Sequence, residues 1–132
     1  MEAACRGAAD VGGASLGVLL DGGGAANAWV TESVVARDLS ERLRILRDRP
    51  AAWIVHPHGL GTLLEIAWIA ESVVKAHTLP RPFVFLGDFW RPTVELLLAE
   101  ASRPEGRDAL RAAIREVSTP GEAAAAATLQ AR

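Results

Sequence analysis

Apolar and polar positions change their period along this chain, and each change predicts a new element. Residues 2–10 put Ala4, Ala8 and Val11 on one helical face, and Gly12-Gly13 end the pattern. "ASLGVLL" (14–20) reads as a short strand, followed by the loop "DGGGAANAW". A helix is predicted over 38–48, where Leu39, Leu43 and Leu46 keep an i, i+4, i+7 stripe, and a strand over 51–56, "AAWIVH". The next helix, 62–76, carries Leu63, Ile66, Ala67, Ala70, Val73 and Val74. "RPFVFLG" (81–87) is a third strand, uncharged after Arg81 and so expected to be buried on both faces. Helices over 91–101 and 105–116 follow, and an alanine-rich helix within 120–132 closes the chain. Alternating helices and strands predict an α/β fold on a parallel sheet, and 132 residues predict one domain.

Four helix starts share one spacing: Asp38-x-x-Glu41, Thr62-x-x-Glu65, Ser102-x-x-Glu105 and Thr119-x-x-Glu122. In each, an N-cap oxygen and a glutamate three residues on can satisfy orphan backbone donors. Glu65 has a second reading. It follows strand, then "PHGLGT", then helix, which places it at the carboxyl end of a parallel strand, where open α/β sheets bind ligands. Gly59 and Gly61 allow close approach to the backbone, and a helix N-terminus suits an anion such as phosphate. Arg42 lies in the i+3 place beside the leucine stripe of 38–48, so it faces inward or borders the buried face. It either snorkels past the leucines or meets an anion shared with Glu65.

Composition narrows the partners. The net charge of −2 gives no basic footprint for nucleic acid or an anionic membrane. A single cysteine, Cys5, forbids an internal disulfide and fits a reducing, cytoplasmic setting. "MEAACRGAADVGG" lacks the basic and apolar regions of a secretory leader, and no uncharged apolar run approaches membrane-spanning length. His56 and His58 share a face if their strand continues, but a third metal ligand is not evident, so no metal is assigned. Lys75 is the only lysine, and it sits near the C-terminal end of the helix whose N-terminus faces the candidate site.

Arg42 together with "PHGLGTLLE" (57–65) resembles the arginine and P-G-G-x-G-T-x-x-E signature of the LOG (LONELY GUY) family. "MEAACRGAADVGGASLGVLL", "NAWVTESVVARDLSERLRILRDRPAAWIVHP" and "RPFVFLGDFWRPTVELL" are similar, in order, to further segments of that family. The resemblance implies a Rossmann-like, three-layer parallel sheet and a cytokinin riboside 5′-monophosphate phosphoribohydrolase or related nucleotide hydrolase, of a group once labelled "lysine decarboxylase". It implies catalytic roles for Arg42 and Glu65 and a phosphate site at Gly59, Gly61 and Thr62, with His58 beside them. Its ligand would be a nucleoside monophosphate, AMP or cytokinin-like. It implies no cofactor, and a homodimer or larger assembly.

The chain departs from the pattern at four places. His58 stands where the first glycine is usual, His56 where an apolar residue is, Leu43 in place of a lysine, and Leu64 in place of the first of two glutamates. The resemblance implies that a front glycine loop and two strands with their helix have no counterpart in this sequence, and with them part of the nucleotide site. If the chain folds alone, strands 14–20, 51–56 and 81–87 are expected to form one small parallel sheet; a second chain filling the gap, by exchange within a dimer, is the alternative. A second reading is a catalytically inactive nucleotide- or cofactor-binding module that acts through association. True lysine decarboxylation would need Lys75 at the wrong end of its helix.

Overall fold

Small residues open the chain as α1 (Glu2–Asp10). In the computed structural model, which describes residues 1–128, Gly12 turns left-handed (φ +72°) just past its end. The N–H groups of Gly12 and Gly13 then reach the carbonyls of Ala9 and Ala8, at 3.0 and 2.8 Å. β1 (Leu16–Leu20) pairs in parallel with β2 (Glu32–Ala36), in register from Leu16 opposite Glu32 to Leu20 opposite Ala36. Their entry points are tied together, because Ser15 N–H donates to Thr31 Oγ1 (2.8 Å) and that hydroxyl donates to the Ser15 carbonyl (2.7 Å). α2 (Leu39–Asp48) follows, with Leu43 buried on its inner face. The chain forms two compact units, one ending at Leu46 and the other beginning at Arg47.

The second unit is built on β3 (Trp53–Val55), β4 (Phe83–Leu86) and β5 (Ile114–Val117), parallel and in that order across the sheet. α3 (Leu60–Val74) connects β3 to β4, and α4 (Arg91–Glu100) with α5 (Pro104–Ala113) connects β4 to β5. Parallel neighbours need such crossovers. Trp53 lies opposite Phe83 and Val55 opposite Phe85, so their side chains share one face. The Trp53 and Phe83 rings meet edge-on at 5.7 Å, and Phe83 and Phe85 lie 4.7 Å apart. Ile66, Ile69, Val73, Val94 and Leu110 complete this core. Val84 points the other way and is equally buried, and α6 (Pro120–Thr128) packs along β4 with Ala123 buried. Arg81 fixes the entry to β4: its Nη1 donates to the carbonyls of Arg47, Asp48 and Pro50, and its guanidinium lies over Trp53 at 5.6 Å.

The architecture is α/β with parallel strands and Rossmann-like crossovers, and β4 is covered on both faces as its uncharged sequence requires. The expectation of one sheet made of 14–20, 51–56 and 81–87 is corrected. Among the described residues the strands form two sheets, because β2 pairs with β1 and β5 with β4, and neither β2 nor β5 is legible as a strand in the sequence. Leu110, Ala113, Ile114 and Val117 keep helical spacing across the junction, so the predicted helix 105–116 conceals the change to β5 at Ile114. The part of the predicted tail beyond Thr128 lies outside the described residues.

Two of the four capping boxes form. At α2, Glu41 N–H donates to Asp38 Oδ1 (2.8 Å), and the Glu41 carboxylate accepts from the Arg37 N–H (2.9 Å) and its guanidinium (2.9 and 3.2 Å). At α6, Glu122 accepts from the Ser118 and Thr119 N–H groups, while its own N–H donates to Thr119 Oγ1. The other two expectations are corrected. α5 starts at Pro104, whose fixed φ suits the first helical position, so Ser102 falls outside the helix. α3 starts two residues before Thr62.

Three measurements test this packing. A Cβ at Gly106 would run into the Val74 carbonyl oxygen, with the Val74 carbonyl carbon and Cα both at 2.9 Å. Gly106→Ala is therefore expected to force α3 and α5 apart, cost about 1–3 kcal/mol, and lower the midpoint of a thermal melt. Ala76 holds φ +57° where α3 ends, a position glycine occupies without strain. Ala76→Gly should raise stability by about 0.5–1 kcal/mol in a denaturant titration.

The Arg37 side-chain hydrogen bond, and then the Arg37 N–H, hold the Glu41 carboxyl well below its usual 4.5, at about 2. A lowered carboxyl contributes stability that is complete above pH ~4.5 and fades as pH falls through about 2. The melting difference between the parent and Glu41→Gln should accordingly be constant near neutrality and close between those two pH values.

Candidate nucleotide site at the end of strand 3

The turn from β3 to α3 spends two successive residues in the left-handed region, His58 at φ +76° and Gly59 at φ +102°. Gly59 occupies that region at little steric cost, whereas a histidine there is strained. This double turn reverses the chain at once, and α3 begins at Leu60 with Gly59 as its N-cap. The Leu63 N–H already reaches the Gly59 carbonyl, at 3.1 Å. Gly61 and Thr62 therefore sit inside the first turn, and Thr62 is not the cap that its spacing suggests. The Gly59 N-cap makes no side-chain cap hydrogen bond, and Gly59 and Gly61 are both exposed. The first-turn amides and the positive end of the helix dipole face the carboxyl end of β3.

Because the helix starts early, Glu65 lies at its sixth position and not at the third, where a capping box has its glutamate. It sits six residues past Gly59, half-buried, beside the buried Ile66 and Ile69. Thr62 and Glu65 are one turn apart along the same side of α3, both partly covered. His58, Gly59, Gly61, Thr62 and Glu65 thus belong to one strand–turn–helix segment. Arg42 belongs to the first unit. There it is half-buried next to Leu43, and its Nε donates to the Val18 carbonyl of β1 at 3.2 Å, which agrees with the inward or bordering place its spacing predicts.

The neighbouring loop, between β4 and α4, is the part that sequence reasoning missed. Gly87 turns at φ +78°, and its N–H donates to the Val117 carbonyl at 2.8 Å. Trp90 is buried, and its Nε1–H donates to the His56 carbonyl at 2.9 Å. Phe89 is 47% exposed; its ring lies 4.4 Å from the His58 imidazole and meets Trp90 at a right angle, 4.8 Å away. The signal was present, since "GDFW" follows a buried strand just as "PHGLG" does.

His56 and His58 are both exposed, and among the described residues no three His, Cys, Asp or Glu side chains gather as metal ligands. Lys75 caps the far end of α3, about 22 Å from its start by helix geometry, and pairs with Glu71 at 3.7 Å. Among the described residues no helix is long and apolar enough to cross a membrane.

These features meet a family pattern at the level of the whole chain. A family model described as "possible lysine decarboxylase" matches residues 1–126. No curated protein matches the chain. The match takes in both units and every candidate residue, from Arg42 to the turn at His58–Thr62 and Glu65, and so the chain belongs to the possible lysine decarboxylase family, the family of the LOG-like proteins.

Proposed function

We propose that this chain is a LOG-type nucleoside 5′-monophosphate phosphoribohydrolase, releasing free base and ribose 5-phosphate from AMP or a cytokinin-like nucleotide. One observation carries the reading: α3 starts at Leu60 on a glycine N-cap that makes no side-chain cap hydrogen bond, which presents its first-turn amides to an anion. Family membership over residues 1–126 supports it. In this reaction the C1′–N bond breaks, water adds to C1′, and the base leaves with a proton. The 5′-phosphate would rest on the amides of Gly61 and Thr62, beside the His58 imidazole and the exposed Gly59. Glu65 would stabilise the oxocarbenium-like sugar or take the proton of the attacking water. The family resemblance gives Arg42 the second catalytic role, for which a guanidinium's fork of donors is suited. We extend the reading to a homodimer or larger assembly in the cytoplasm, without nucleic acid, membrane or cofactor.

A second reading, a nucleotide- or cofactor-carrying module without catalysis, is favoured by His58. Its side chain stands where the family signature has glycine, on a backbone suited to glycine. Lysine decarboxylation is disfavoured by Lys75, because a Schiff-base lysine belongs in the pocket and this one is paired at the opposite end of α3.

Incubation with AMP and with a prenylated adenosine monophosphate, followed by chromatography of free base, tests both readings. The parent chain is expected to release base, and Glu65→Gln and Arg42→Ala to lose on the order of 10²–10⁴-fold in rate. A folded parent chain that binds AMP and releases nothing would leave the carrier.

A further inference from the structure

We propose that Phe89 and Trp90 are positioning residues for the turn after β3: they hold His58 and Gly59 in the geometry that presents the α3 N-terminus. Through it they set affinity for the ligand's phosphate. The proposal rests on the phosphate-binding reading of that turn.

A non-glycine residue in the left-handed region persists only where its surroundings over-determine it. Here two of those constraints come from the β4–α4 loop. Trp90 supplies a fixed point, since its ring is buried in the core and its indole N–H donates to the His56 carbonyl, two residues before His58. Phe89 supplies the second, 4.4 Å from the imidazole itself. The loop that carries them is anchored in turn, by the Gly87 N–H on the Val117 carbonyl of β5. A lock therefore runs from β5 through residues 87–90 to the turn at 56–59. Phe89 differs from the packing aromatics beside it. Phe83, Phe85 and Trp90 are buried, whereas Phe89 leaves nearly half its surface in solvent and spends its ring on His58 and Trp90. Its contribution to the core is small, and its contribution to the turn is direct.

The test uses the full chain and three variants. Trp90→Phe removes the indole N–H and keeps a ring, Phe89→Leu removes the ring and keeps apolar bulk, and Phe89→Tyr keeps the ring. Calorimetric binding of AMP and of adenosine is read beside thermal melts and amide hydrogen exchange at residues 58–62 of the free protein. Phe89→Leu and Trp90→Phe are expected to weaken AMP about three- to tenfold, to leave adenosine unchanged, and to speed exchange at the turn. Phe89→Tyr should bind AMP as the parent does. Equal weakening of AMP and adenosine would place Phe89 against the base and overturn the positioning role, as would unchanged AMP affinity in both variants. If the parent chain binds no AMP, the phosphate reading fails separately, and exchange decides what remains. Faster exchange at 58–62 with an unchanged melt supports the lock, and unchanged exchange overturns it.

Discussion

The second unit depends on one constraint, that Phe83-Val84-Phe85 is closed to water on both faces. A strand in that position must carry helices on each side, and parallel neighbours joined by helical crossovers are the arrangement that provides them. From this the rest follows. β3 and β5 run parallel to β4, so the carboxyl ends of all three strands lie at the same edge of the sheet. The turns that leave β3 and β4 are thereby brought side by side, and Trp90 can reach the His56 carbonyl. The candidate site is a consequence of burying a tripeptide.

Burial also explains what was readable beforehand. The helices that pack on β3 and β4 carry strong apolar stripes, and Phe83-Val84-Phe85 lacks any charge, so both announced themselves. β2 and β5 did not. Glu32-Ser33-Val34-Val35-Ala36 is exposed along much of its length and has little pattern to show, and Ile114–Val117 prolongs the helical spacing of α5. Short strands whose partners are remote in sequence are fixed by pairing, which local periodicity does not record. Grouping the three legible strands into one sheet followed from missing the two that supply the additional pairings.

The capping boxes separate spacing from geometry. At Asp38 and Thr119 nothing else competes for the helix start, and both boxes close. At Ser102 a proline two residues on fixes the start at Pro104 instead. At Thr62 the backbone of His58 and Gly59 has already turned, and the helix has begun at Leu60, two residues before the threonine. The same four-residue signature therefore has two outcomes, decided by the residues in front of it. For Glu65 the outcome matters, because it lies at the sixth helical position and not at the third, where a capping box places its glutamate.

That displacement also gives His58 its meaning. A glycine at the same place would reach φ +76° at little cost and offer the ligand only backbone. Histidine meets a steric penalty there and brings an imidazole to the rim of the helix N-terminus, so the exchange makes physical sense only if the ring is put to use or held by neighbours. Phe89 does hold it, at 4.4 Å, and Trp90 holds the chain just upstream. The departure from the family signature and the aromatic pair in the adjacent loop are thus one feature seen from two sides. A strained residue in the turn after β3 is matched by a bracing residue after β4, and the sheet sets the distance between them.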